Sequence, residues 1–146
     1  MIIKNKNKLF ELSILDYEFS EKLKDKHDLN WLMIEIKVVS GKDSWKRKLP
    51  MLLTWEFREL VQWFKNIRDD TFPKEISFVE PYLRFVKIKN KNNNLNLRVY
   101  FELEAKRKPS KYVGEKSSFI NLTVTKSNIT QIIKELTNEL NKFPER

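Results

Sequence analysis

The sequence predicts an α+β fold, an antiparallel, curved sheet of about seven strands with two helices in the order βββαββββα. Three observations predict it. Apolar residues recur at period two in several short segments, the spacing that puts side chains on one face of a strand. Two longer segments carry apolar residues at spacings of three and four, the period of an amphipathic helix. The links between neighbouring strand segments are short, and strands joined by short turns pair antiparallel.

The first strand is "KLFELSILDYE", with Phe10, Leu12 and Ile14 on one face. The second is "WLMIEIKVV". Leu32, Ile34, Ile36 and Val38 lie on one face, and Trp31, Met33, Glu35 and Lys37 on the other. "SGKD" turns the chain into "SWKRKLPML", the partner strand of a hairpin. In "TWEFRELVQWFKNIRDD", Phe57, Leu60, Val61, Phe64 and Ile67 form a helical stripe. Thr54 is the expected N-cap, because its hydroxyl can accept a free N–H of the first turn, and Glu56 suits the positive helix start.

"ISFVEPYLRF" offers two readings. Glu80 could be a catalytic acid in an apolar pocket, or the segment could be a strand, a turn and another strand. Pro81 cannot donate to a ladder and belongs at a turn or an edge, and it pushes Glu80 to extended geometry. With no partner carboxylate or base in view, the strand–turn–strand reading is preferred. "LNLRVYFELE" then puts Leu95, Leu97, Val99, Phe101 and Leu103 inward, and Asn96, Arg98, Tyr100, Glu102 and Glu104 outward. "FINLTVT" turns Ile120, Leu122 and Val124 inward. The last helix, "SNITQIIKELTNELNKF", carries Ile129, Ile132, Ile133, Leu136, Leu140 and Phe143, with Ser127 as expected N-cap and Pro144 ending it. Each helix needs cover for its stripe, so both are expected on one face of the sheet. Polar runs over 20–30, 89–94 and 104–117 read as loops.

The 146 residues, 40% of them hydrophobic, suit a single domain spanning 1–146 with a real core. No apolar run reaches membrane-spanning length, no signal-peptide pattern opens the chain, and cysteine is absent, so a cytoplasmic location without a membrane is expected. The net charge of +9 invites a nucleic-acid reading. Lysine and asparagine, both with A/T-rich codons, crowd the chain, and background composition explains the charge more simply.

Chemistry has little to work with. His27 is the single histidine and lies in a charged stretch, so any Ser-His-Asp arrangement must use it, and no G-x-S-x-G accompanies it. The glycines are Gly41 and Gly114, too few for a phosphate-binding loop. Asp25, Asp28, Asp69 and Asp70 could in principle hold a metal but sit among lysines as solvated loop charges. No enzyme, cofactor or metal is therefore expected. A carboxylate pair of Glu80 with Asp16 or Asp28 is the remaining enzymatic arrangement, and no spacing demands it.

Two sets of residues are candidates for binding. Trp31, Met33, Glu35, Arg98, Tyr100 and Glu102 fall on strand faces opposite the apolar rows, and aromatics, Met and Arg are enriched at protein interfaces. The plain alternative is a half-covered sheet face, or a curled sheet that buries both. Lys106, Arg107, Lys108, Lys111 and Lys116, with Tyr112 as a stacking ring, are the nucleic-acid alternative. No helix-turn-helix or RRM signature accompanies them. Of the helical tryptophans, Trp55 and Trp63 fall beside the stripe and are expected to cover the sheet edge.

Several segments occur in an order that resembles a family. They are "YEF", "NWLMIEIKV", "LLTWEFRELVQWF", "ISFVEPYLRF", "LRVYFELE" and the terminal "ELNKFPER". Together they are similar to the small bacterial proteins grouped as WapI-type immunity proteins, partners of wall-associated polymorphic toxins. The resemblance covers nearly the whole chain, and "NWL", "EP-L-F" and "FP-R" are its most distinctive pieces. It implies a cytoplasmic protein that binds and blocks a toxin's C-terminal domain, without catalysis, and it carries over no site residues. A basic chain departs from the acidic, nucleic-acid-mimicking surface common among inhibitors of nucleases, unless acidity is local, as at Glu35, Glu102 and Glu104.

Overall fold

The computed structural model describes residues 1–19, 25–89, 94–109, 111–112 and 118–146. The expected loops over 20–30, 89–94 and 104–117 therefore lie partly outside the described residues, as do Lys116 and Gly114. In chain order the elements are β1 (Ile2–Asn5), β2 (Lys8–Tyr17), β3 (Trp31–Ser40), β4 (Asp43–Leu53), α1 (Thr54–Arg68), β5 (Glu75–Ser77), β6 (Leu83–Lys89), β7 (Leu95–Phe101), β8 (Ser118–Val124) and α2 (Lys126–Lys142). Single 3-10 turns precede β3 and follow β7.

The α+β class holds, but the single seven-stranded sheet does not. Among the described residues eight antiparallel strands form two sheets of four, ordered β1-β2-β3-β4 and β5-β6-β7-β8. The strand not foreseen is β1, four residues that are too short to show a period. The break falls between β1 and β8. There the Asn5 carboxamide stands in for a backbone ladder, donating to the Thr123 carbonyl at 2.9 Å and accepting from the Thr123 N–H at 2.8 Å. Lys8 Nζ adds a bond to the Asn121 carbonyl at 3.1 Å.

The inward rows are those the alternation predicts except at Leu103, which lies in the 3-10 turn after β7 and outside the core, and they meet across the two sheets. The Phe10 ring packs on Phe85 at 5.9 Å and on Phe101 at 6.0 Å, and Trp45 meets Phe101 edge-on at 5.5 Å. One cluster of buried apolar side chains takes in both sheets and both helical stripes. Trp63, expected at a sheet edge, belongs to this core beside Phe64 and Phe85, while Trp55 stays half-buried. "ISFVEPYLRF" is strand, turn and strand, with Glu80 in the turn between β5 and β6.

Both helix starts differ from expectation by a residue or two. Thr54 is already helical, and its hydroxyl donates to Asn30 Oδ1 at 2.8 Å. The first turn of α1 is instead closed by Glu56, whose carboxylate accepts from the N–H of Leu53 at 2.9 Å and of Val79 at 2.6 Å. The cap of α2 is Thr125 rather than Ser127. Its hydroxyl accepts from Asn128 N–H at 3.1 Å, and Asn128 Oδ1 accepts from Thr125 N–H at 3.0 Å.

The β3–β4 hairpin turns at Gly41, whose φ is +63°. Side-chain-bearing residues enter that region at a cost, most of all when β-branched. Gly41→Val is expected to lower the unfolding free energy by about 1–2 kcal/mol, read as a fall in the urea midpoint at unchanged slope.

Candidate functional site

The outward face of the second sheet gathers arginines and rings by register. Arg84 on β6 lies opposite Tyr100 on β7, and Tyr100 lies opposite Phe119 on β8. Arg98, two residues before Tyr100, lies opposite Asn121. The Arg84 guanidinium carbon sits 3.9 Å above the Tyr100 ring centre, and that of Arg98 sits 4.3 Å above the Phe119 ring. Such contacts contribute about 0.5–2 kcal/mol each, more as water is excluded. The two rings touch at 5.6 Å. Arg98 is held further by Nε donating to Asn121 Oδ1 at 2.8 Å and Nη1 donating to the Tyr100 hydroxyl at 3.1 Å. Glu75 on β5 lies 3.5 Å from Arg84. Phe119 remains 46% exposed, and on β6 the half-buried Val86 and Ile88 lie opposite Arg98 and Asn96.

This cluster has an electrostatic signature. The hydrogen bond from Arg98 is the largest cause holding the Tyr100 phenol below its usual pKa; burial opposes it, and the charges of Arg98 and Arg84 add to the lowering. A spectrophotometric titration is expected to show one tyrosine ionising ahead of the rest. Arg98→Gln should move that step upward.

The six residues predicted as a partner-binding set do not share one face. Arg98 and Tyr100 belong to the cluster just described, and Arg84 and Phe119 complete it. Trp31, Met33 and Glu35 lie on the outward face of the other sheet. There Glu35 pairs with Lys46 at 2.7 Å. Trp31 forms a separate aromatic group, because the His27 ring lies 6.0 Å from it and 5.5 Å from Trp55. Glu102 corrects the expectation outright. It is only 7% exposed and pairs with Lys106 Nζ at 3.3 Å. Strand β7 ends at Phe101, and Leu103 takes φ +50°, so the alternation stops one residue before Glu102.

The nucleic-acid alternative loses a member to the same pair, since Lys106 is 4% exposed. Arg107 binds Asp43 at 2.9 Å, and its carbonyl accepts from Arg47 Nη2 at 2.7 Å. Lys108 and Lys111 are exposed, and Tyr112 is 72% exposed. Three of the four acids weighed for a metal are engaged locally: Asp25 accepts from His27 N–H at 2.8 Å, Asp69 binds Arg68 at 2.8 Å, and Asp70 pairs with Lys87. Among the described residues no three His, Asp or Glu side chains cluster as a metal site would require.

The model of the WapI-like immunity protein family matches residues 1–144. The chain belongs to that family. No curated protein gives a significant match. In this member of the WapI-like family, the "NWL" and "YEF" segments meet the terminal "FPER" in space. Asn30 of "NWL" bonds both the N–H and the carbonyl of Arg146, at 2.9 and 3.1 Å. Tyr17 of "YEF" packs on Phe143 at 5.6 Å, donates to the Pro144 carbonyl and lies 3.5 Å under the Arg146 guanidinium. In this chain these pieces are therefore architectural. They fasten the segment after α2 to the start of β3 and the end of β2. Among the described residues no helix is long and apolar enough to cross a membrane.

Proposed function

We propose that the chain is a non-enzymatic, cytoplasmic, single-domain immunity protein that binds the C-terminal domain of a cognate bacterial toxin and blocks it. Membership of the WapI-like immunity family supports a toxin protein as the partner. The observation that carries the choice of surface is the exposed Arg84–Tyr100–Arg98–Phe119 cluster. Arginine and aromatic rings are the residue types that most often dominate binding energy at protein interfaces. In this cluster they are ordered before any partner arrives, which lowers the entropy lost on association.

The test is capture of partners by the tagged full-length chain from its native host, with nuclease added, followed by mass spectrometry. Stoichiometric recovery of a C-terminal fragment of one large secreted or surface protein supports the proposal. Recovery of nucleic acid alone, and only when nuclease is omitted, overturns it in favour of the basic nucleic-acid-binding alternative at Arg107, Lys108, Lys111 and Tyr112. Against the captured fragment, Tyr100→Ala is expected to weaken binding by more than about 1 kcal/mol. Trp31→Ala, on the other sheet, is the comparison. A loss at Trp31 with none at Tyr100 would move the interface to the His27–Trp31–Trp55 group.

A further inference from the structure

We propose that the Arg84–Tyr100–Arg98–Phe119 face receives an acidic, carboxylate-bearing segment of its protein partner. This rests on the immunity reading only in taking the partner to be a protein.

The argument is charge complementarity on a prearranged surface. Arg98 is half-buried, and its hydrogen bonds go to neutral oxygens, the Asn121 amide and the Tyr100 hydroxyl. Among the described residues it has no carboxylate partner. A guanidinium carries five N–H donors, so the two bonds leave three, including both on Nη2, for an incoming group. Arg84 has one carboxylate near it, Glu75 at 3.5 Å, and that side chain is itself 58% exposed. The face therefore holds two fixed cations against one weakly held anion. The lowered Tyr100 pKa reports the same positive field.

Guanidinium and carboxylate match as planar forks, and a fork already stacked on a ring loses little freedom when it binds. Phosphate would satisfy the fork as well, but the rest of the face favours protein. One side of each ring is taken by the chain's own guanidinium, so Tyr100 and Phe119 are poor platforms for bases. Val86 and Ile88 add aliphatic surface beside the cations, the mixture that lines the centre of protein interfaces. A basic immunity protein thus binds by opposite charge from the usual acidic mimic.

The test needs no toxin. The side-chain Nε–Hε NMR signals of the full-length chain are followed while a capped peptide of alternating glutamate and glycine is added. The matching lysine peptide and oligothymidylate are added in parallel. Saturable shifts at Arg84 and Arg98 with the glutamate peptide alone are expected. Arg98→Gln should weaken the peptide about tenfold, and Arg98→Lys should not restore it. Motion confined to other arginines, an unchanged affinity in Arg98→Gln, or tighter binding of oligothymidylate than of the peptide overturns the proposal. The two levels separate cleanly. A captured toxin fragment whose affinity ignores Arg84→Gln and Arg98→Gln defeats this inference and leaves the immunity reading standing. Peptide binding without any captured fragment supports this inference and counts against the immunity reading.

Discussion

Phe85→Ala is expected to remove about 3–5 kcal/mol of stability, enough to leave a domain with a typical total of about 5–15 kcal/mol close to unfolding. Phe85 lies at the middle of β6 and is fully buried. Its ring touches Phe10 of the first sheet at 5.9 Å, Trp63 and Phe64 of α1 at 6.2 Å each, and Phe78 of the β5–β6 turn at 6.2 Å. Four rings from three other parts of the fold thus converge on one side chain. Truncation would lose the transfer free energy of the ring and leave a hole that rigid neighbours on several sides could not fill together. Urea denaturation followed by tryptophan fluorescence checks this directly, since Trp63 reports from the same cluster. Phe119→Ala is the contrast. It removes a ring of the same size from the outward face and should cost less than about 1 kcal/mol. Equal losses at the two positions would mean that the outward face is buried in solution, and the candidate binding surface would have to be abandoned.

The faces of the strands were legible because alternation is a local property. Leu32, Ile34, Ile36 and Val38 point inward as their spacing requires, and so do Leu97, Val99 and Phe101. Which strands share a sheet was not legible. The break between β1 and β8 depends on one carboxamide, Asn5, reaching Thr123 across 118 positions of sequence. Nothing near Asn5 announces that bond.

The candidate site was half legible for the same reason. Arg98 and Tyr100 could be placed on an outward face from β7 alone. Arg84 and Phe119 could not be added, because their place beside Tyr100 is set by pairing registers rather than by any local pattern. Alternation in "LRFVKI" does turn Arg84 away from Phe85, so a signal existed for its direction but not for its neighbour. Glu102 failed because period two was carried past the end of β7. Its spacing of four from Lys106 was the available clue to the buried pair.

Asn30→Ala is expected to cost about 2–4 kcal/mol although it removes no apolar surface of consequence. The side chain is 1% exposed, and all four of its hydrogen-bonding positions are filled. Nδ2 donates to the carbonyls of Lys26 at 2.6 Å and Arg146 at 3.1 Å, while Oδ1 accepts from Thr54 Oγ1 at 2.8 Å and Arg146 N–H at 2.9 Å. Alanine would orphan the Thr54 hydroxyl, which is fully buried, and release Arg146. Asn30→Asp keeps the shape, yet it turns both donors into acceptors facing carbonyl oxygens and adds a buried charge. Burial would raise the pKa of the new carboxyl above its unfolded value. Its penalty should therefore grow as pH rises above about 4, the unfolded carboxylate pKa, and level off above the folded one. The alanine penalty should stay flat against the parent chain over the same range. Denaturation midpoints of the three proteins across that range separate the two patterns. A loss below about 0.5 kcal/mol for Asn30→Ala would show that water replaces the amide freely, and "NWL" and "FP-R" would then need a reason other than architecture. Because the amide holds the frame and not the outward face of the second sheet, any Asn30→Ala chain that remains folded should keep the Tyr100 phenol titration of the parent chain.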